Sequence, residues 1–100
     1  MEMYDVRISS AAQRDFLCVA EHIDTLPLEE AIVAFGKIIN EANVLRTTPA
    51  SCPFVRDMQL RLRGYRVLTV EDYLFFFVIR DKTVEVRRIL YAKRHYERLI

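Results

Sequence analysis

The run Tyr73-Leu74-Phe75-Phe76-Phe77-Val78-Ile79 is aromatic or aliphatic at every position. Strand side chains alternate between opposite faces, so a strand built from this run has no polar face to give to water. It fits the centre of a sheet better than an edge. Gly64-Tyr65-Arg66-Val67-Leu68-Thr69-Val70 supplies one neighbour, a stretch rich in β-branched and aromatic residues, separated from it by Glu71-Asp72. Asp81-Lys82 makes the next turn, and Thr83 to Tyr91 alternates: Val84, Val86, Arg88 and Leu90 on one face, Glu85, Arg87, Ile89 and Tyr91 on the other. Three antiparallel strands in a meander are expected.

The chain before them reads as scaffold. Tyr4-Asp5-Val6-Arg7-Ile8 alternates apolar and charged residues, as a half-buried strand joining the meander would. Ser10-Ala11-Ala12-Gln13 has capping-box spacing, and Ala12, Phe16, Val19, Ala20 and Ile23 then recur at helical intervals, so a helix is expected from about Ala11 to Asp24. Pro27 suits the first position of a second helix whose stripe of Leu28, Ala31, Ile32, Phe35, Ile38, Ile39, Ala42 and Leu45 runs to about Arg46. So short a connection makes the two an antiparallel hairpin. Thr47 to Pro53, with two prolines in a polar run, connects helices to sheet and is too short to divide domains. The expectation is one α+β domain over residues 1–100: N-terminal strand, two-helix hairpin, three-stranded meander and a short C-terminal helix.

Composition narrows the function classes. At 100 residues, 52% hydrophobic and 29% charged, the chain has the make-up of a small globular protein. No apolar run approaches the ~20 residues of a membrane span, and the acidic start argues against a signal peptide, so a cytoplasmic location is expected. Cys18 and Cys52 lack metal-site spacing; Cys18, on the first helix, is expected to be a buried thiol, and Cys52, in a Ser-Cys-Pro loop, to be open to solvent. With two glycines in all, a phosphate-binding loop is excluded, and neither a metal nor a cofactor is expected.

The net charge of +1 hides an asymmetry. Residues 1–55 carry four basic side chains against eight acidic ones, and residues 56–100 carry eleven against six. Such a chain can meet a polyanion on one side without being basic overall, or its two sides can attract each other across the fold. Arg61, Arg63, Arg66, Arg87 and Arg88, with Lys93 and Arg94, lie in the basic half. Taken singly, each is most simply a solvated residue. Arg94-His95-Tyr96 adds to them a group that titrates near neutrality and a phenol, residue types suited to phosphate chemistry and base stacking.

The element order, together with Val6-Arg7-Ile8-Ser9, Pro49, Cys52-Pro53, Val55-Arg56-Asp57, Gly64-Tyr65-Arg66, Tyr73 to Phe77, Arg88-Ile89-Leu90-Tyr91 and Arg94 to Ile100, resembles the RelE/ParE superfamily of bacterial toxins across essentially the whole chain. The resemblance implies a toxin of a type II toxin–antitoxin module, of a kind associated with plasmid stabilization, neutralised by a cognate antitoxin. RelE-like members cleave messenger RNA on the ribosome; ParE-like members poison DNA gyrase. By resemblance, Arg66 matches the arginine that RelE-like nucleases use near the scissile phosphate. Arg94 matches the basic residue after the last strand, and His95-Tyr96 the C-terminal pair of YoeB-like nucleases. The lysines of RelE fall near Asp57 and Gln59 here; Arg61 and Arg63 can replace their charge, although arginine is a poor proton acceptor.

A metal-independent endoribonuclease uses the RNA 2′-hydroxyl as nucleophile, so the protein has to move protons and stabilise phosphoryl charge. On that reading Arg66 and Arg94 clamp the phosphate, His95 does acid or base work, Tyr96 stacks or orients, and Arg61, Arg63, Arg88 and Lys93 hold the RNA. The plainer roles are an exposed histidine near the chain end and a tyrosine that packs. The expectation is ribosome-dependent cleavage of messenger RNA, with gyrase inhibition by binding alone as the alternative. The antitoxin is expected to cover the basic face with acidic residues and to meet apolar positions on the helices such as Leu17 or Val33.

Overall fold

A computed structural model describes residues 3–92. The chain runs β1 (Asp5–Ile8), α1 (Ser10–Asp24), α2 (Leu28–Ala42), α3 (Val44–Thr47), a 3-10 turn (Pro49–Ser51), α4 (Met58–Leu62), β2 (Arg66–Val70), β3 (Tyr73–Arg80) and β4 (Thr83–Tyr91). The expected short C-terminal helix lies outside the described residues. The sheet has the order β1-β4-β3-β2. The meander is antiparallel, and β1 lies parallel to β4, as a strand returning through a helical crossover can.

The β3 run sits between two strands, as its composition requires. Phe75 and Phe77 join Ala12, Val19 and Ile23 of α1, Ile38 of α2 and Leu45 of α3 in one core. Phe76 and Val78 join Val55, Leu60 and Tyr65 in a smaller core on the other side. The sheet is therefore covered twice, by the long helices and by the α4 segment.

α4 is absent from the sequence expectation because five residues show no apolar period, yet both of its ends are written in side chains. Asp57 accepts from the Leu60 amide at 3.1 Å as N-cap. Beyond Arg63, Gly64 turns left-handed at φ +85, with its amide bonded to the Arg61 carbonyl and the Tyr65 amide to the Leu60 carbonyl. That is a Schellman closure, and Leu60 and Tyr65 supply its hydrophobic contact. Gly64-Tyr65 thus end a helix, and the strand starts at Arg66.

Several local expectations shift. The cap of α1 is Ser9, whose hydroxyl accepts from the Ala12 amide at 3.1 Å, while the Gln13 side chain reaches back to the Ile8 carbonyl. α2 stops at Ala42, because the Asn43 amide turns to the Asn40 carbonyl, three residues back, and the last turn continues as α3. Only part of the α2 stripe is buried: Ile38 is, whereas Leu28, Ile32 and Ile39 face outward.

In β4 the alternation breaks. Phe76 pairs with Arg88 but Phe77 with Val86, so Arg87 is an extra residue in a β-bulge. Val84 and Val86 therefore share the helix-side core with Ile89 and not with Leu90, which enters the opposite core. The cysteines also exchange places. Cys18 is exposed on α1, and Cys52 is buried because the 3-10 turn folds it beneath the helices. Burial pushes the Cys52 thiol up from its ordinary range, and the Arg66 guanidinium opposes this only in part.

Two outcomes follow. Open space surrounds the position of an added Cβ at Gly64, so Gly64→Ala meets only the left-handed backbone penalty, about 1–2 kcal/mol, and the thermal midpoint is expected to fall by roughly 5–15 °C. An aromatic disulfide reagent at pH 8 is expected to titrate one thiol of the folded chain, Cys18, and to reach Cys52 only after denaturation. Because the Cys52 pKa is raised in the folded chain, the stability linked to its protonated thiol is complete below the ordinary thiol range and is lost as pH climbs from that range through the raised value.

Candidate functional site

The arginines singled out from the sequence that lie among the described residues fall into two groups. The first lies along the edge of β2. There Pro53 to Val55 run as an irregular extra strand: the Val67 amide bonds to the Pro53 carbonyl, the Val55 amide to the Tyr65 carbonyl, and Phe54 bridges to Arg66. This pairing brings the Arg66 guanidinium over the Phe54 ring, 3.9 Å from its centroid. Its Nη1 donates to the Cys52 carbonyl at 2.7 Å and to the Ala50 carbonyl at 3.2 Å. Arg66 thereby holds the 3-10 turn against the sheet, two of its donors committed to backbone.

Arg61 and Arg63, from the end of α4, stand exposed beside it. The Arg61 guanidinium is 5.9 Å from the Phe54 ring, and that of Arg63 is 5.3 Å from the Tyr65 ring. Arg61 and Arg66 on the exposed Phe54, with Arg63 on the Tyr65 ring, form a small cationic and aromatic platform, able to meet a phosphate or a flat π-face. Phe54 was not singled out from the sequence; its position, two residues from Cys52 in a loop, carries no periodic signal.

The second group lies at the bulge. Arg88 donates from Nε to Asp15 Oδ2 at 2.7 Å and from Nη2 to Oδ1 at 3.0 Å, while the Ile89 amide donates to the same Oδ2 at 2.9 Å. The hydrogen bond to Asp15 raises the Arg88 pKa further, burial working against it. Asp15 is thus tied on both oxygens, and Arg88 joins α1 to β4. Arg87 pairs with Glu85 at 3.1 Å, and its Nε is buried without a hydrogen-bond partner among the described residues.

The structure thus brings Arg61, Arg63 and Arg66 together and sets Arg88 apart in an ion pair. Lys93, Arg94, His95 and Tyr96 lie outside the described residues. Among the described residues no group of three or more His, Cys, Asp or Glu side chains could hold a metal ion, and no helix is long and apolar enough to cross a membrane. Leu17 and Val33 are both exposed on the helices, with 63% and 56% of their surface open.

Arg66→Ala removes two hydrogen bonds and a stacked cation, which together are worth about 2 kcal/mol. A fall of roughly 10 °C in the thermal midpoint is expected. Arg61→Ala and Arg63→Ala, on exposed side chains, are expected to leave the midpoint nearly unchanged.

Similarity to known proteins agrees with this architecture. A chromosomal ParDE toxin–antitoxin system from P. aeruginosa matches with a TM-score of 0.70 and 20% identity, over 91% of this chain and 98% of that one. A chain of the RelBE2 toxin–antitoxin complex from Mycobacterium tuberculosis matches with a TM-score of 0.57 and 21% identity, over 93% and 97%. No curated protein matches in sequence. The family described as "ParE toxin of type II toxin-antitoxin system, parDE" matches residues 6–96. With nearly the whole length matched by that family and its fold shared with ParDE and RelBE toxins, the chain belongs to the ParE toxin family of type II toxin–antitoxin systems.

Proposed function

We propose that the chain is a toxin that acts by binding its target, DNA gyrase by the family resemblance, without cleaving RNA. The observation that carries this reading is the state of Arg66. A nuclease needs that guanidinium free to follow charge from ground state to transition state. Here it is stacked on Phe54 and bonded to two carbonyls, an arrangement suited to holding a loop. Arg88, another of the arginines expected to hold RNA, has its fork on Asp15. The ParE family match points the same way. The cognate antitoxin is the proposed second partner, as both similar structures come from toxin–antitoxin modules.

Messenger-RNA cleavage is the second reading, favoured by the exposed Arg61 beside Phe54 and the exposed Arg63 beside Tyr65. On it Arg94, His95 and Tyr96 would carry the chemistry. The two separate in one experiment that avoids Arg66, whose loss lowers stability under either. Wild type, the Arg61→Ala/Arg63→Ala pair and His95→Ala are induced in a bacterial host, and both transcript 5′ ends and plasmid integrity are followed. Growth arrest with linearised plasmid, no new transcript ends and full toxicity of His95→Ala is expected. New ends within codons that vanish in His95→Ala would overturn the proposal in favour of the nuclease.

A further inference from the structure

A groove of about 420 Å³ opens between the end of α1, one side of α2 and the β2–β3 turn. Its floor is apolar. Leu26, Val33 and Tyr73 line it above the buried Ile23 and Ile38. Its rim is acidic, with Glu29 and Glu30 on the first turn of α2 and Glu71 and Asp72 at the turn between strands. Two basic groups stand among these four carboxylates. Lys37 pairs with Glu71 at 3.3 Å, and His22 lies at the end of α1.

Helix electrostatics accounts for Glu29 and Glu30, which complement the α2 dipole. It does not account for Glu71 and Asp72, which close the far wall from a hairpin turn. Nor does folding explain Val33, left open to solvent between the two acidic walls. An apolar floor gains by covering, and two carboxylate walls set the sign of what covers it.

We propose that this groove docks an amphipathic helical segment of a protein partner, with aliphatic side chains spaced i, i+3 or i+4 on the buried face and lysine or arginine on both flanks. The volume suits a few inserted side chains. A basic flank gains twice here, by pairing with Glu29 and Glu30 on one wall and with Asp72 on the other. An acidic segment, of the kind suited to the arginine platform, is repelled. The molecule therefore presents two docking faces of opposite sign, which accept different partner segments. This holds whichever reading of the toxic activity stands.

The test uses the purified full chain and two synthetic helical peptides with the same leucine spacing, one flanked by lysines and one by glutamates, followed by fluorescence anisotropy. The lysine peptide is expected to bind at least about tenfold more tightly than the glutamate peptide and to weaken as salt is raised. Val33→Asn is expected to weaken it about tenfold by removing apolar contact without adding charge. Glu29→Lys/Glu30→Lys, and independently Asp72→Lys, are expected to narrow or reverse the preference. All these side chains are exposed, and far-UV circular dichroism confirms folding of each variant. Equal binding of both peptides, binding of neither, or lysine-peptide binding indifferent to Val33→Asn and Asp72→Lys would overturn the proposal. So would self-association of the chain that Val33→Asn abolishes while the peptides fail to bind, which would assign the groove to a second copy.

Discussion

Phe76 and Phe77 are adjacent in sequence and fully buried on opposite faces of the sheet. Each large aromatic side chain needs its own dry environment, because leaving either face wet forfeits about 2–3 kcal/mol of burial per ring. A sheet covered on one side by a helical hairpin satisfies Phe77 only. The segment from Val55 to Tyr65 exists, in packing terms, to satisfy Phe76. Its short helix, the carboxylate cap at Asp57 and the left-handed Gly64 are the local means of folding that segment back onto the sheet. Fixing Pro53 to Val55 along the β2 edge also assembles the arginine platform, so the second core and the basic surface are products of one constraint.

Elements whose signal repeats were legible in the sequence, and single contacts were not. The apolar β3 run, the two long helices and the meander turns each rest on many residues and are present in the expected order, although α2 ends at Ala42 and buries only part of its stripe. The Ser9 cap differs by one residue from the Ser10 expectation because two adjacent serines offer the same chemistry and only backbone geometry separates them. The bulge at Arg87 leaves no mark in a sequence that alternates through it, yet it changes which core Ile89 and Leu90 enter. Arg66 illustrates the limit for function. Its place after Gly-Tyr fits a phosphate-binding arginine, and only the three-dimensional positions of the Ala50 and Cys52 carbonyls show that the guanidinium already has ligands.

The same comparison separates roles within the basic half of the chain. Formal charge treats its arginines as equivalent. Among the described residues of this half, Arg66 secures a loop, Arg88 joins a helix to a strand, Arg87 pairs with Glu85 on β4, and Arg56, Arg61, Arg63 and Arg80 stand exposed. Partner recognition through this half therefore rests on fewer charges than the count suggests, and on an exposed aromatic ring that charge counting passes over. The acidic half has the reverse character: most of its carboxylates are exposed, and its helices keep apolar residues such as Leu28, Ile32 and Ile39 on the outside.

The carboxylate of Asp15 occupies a place usually filled by a neighbouring strand, since it takes the Ile89 amide at the bulge. Hydrogen exchange at that amide is then governed by the docking of α1 and not by fraying of the sheet. A single backbone proton in β4 becomes an internal gauge of whether the helical layer is seated. A ligand that prises α1 away would register there even where the strands themselves stay intact.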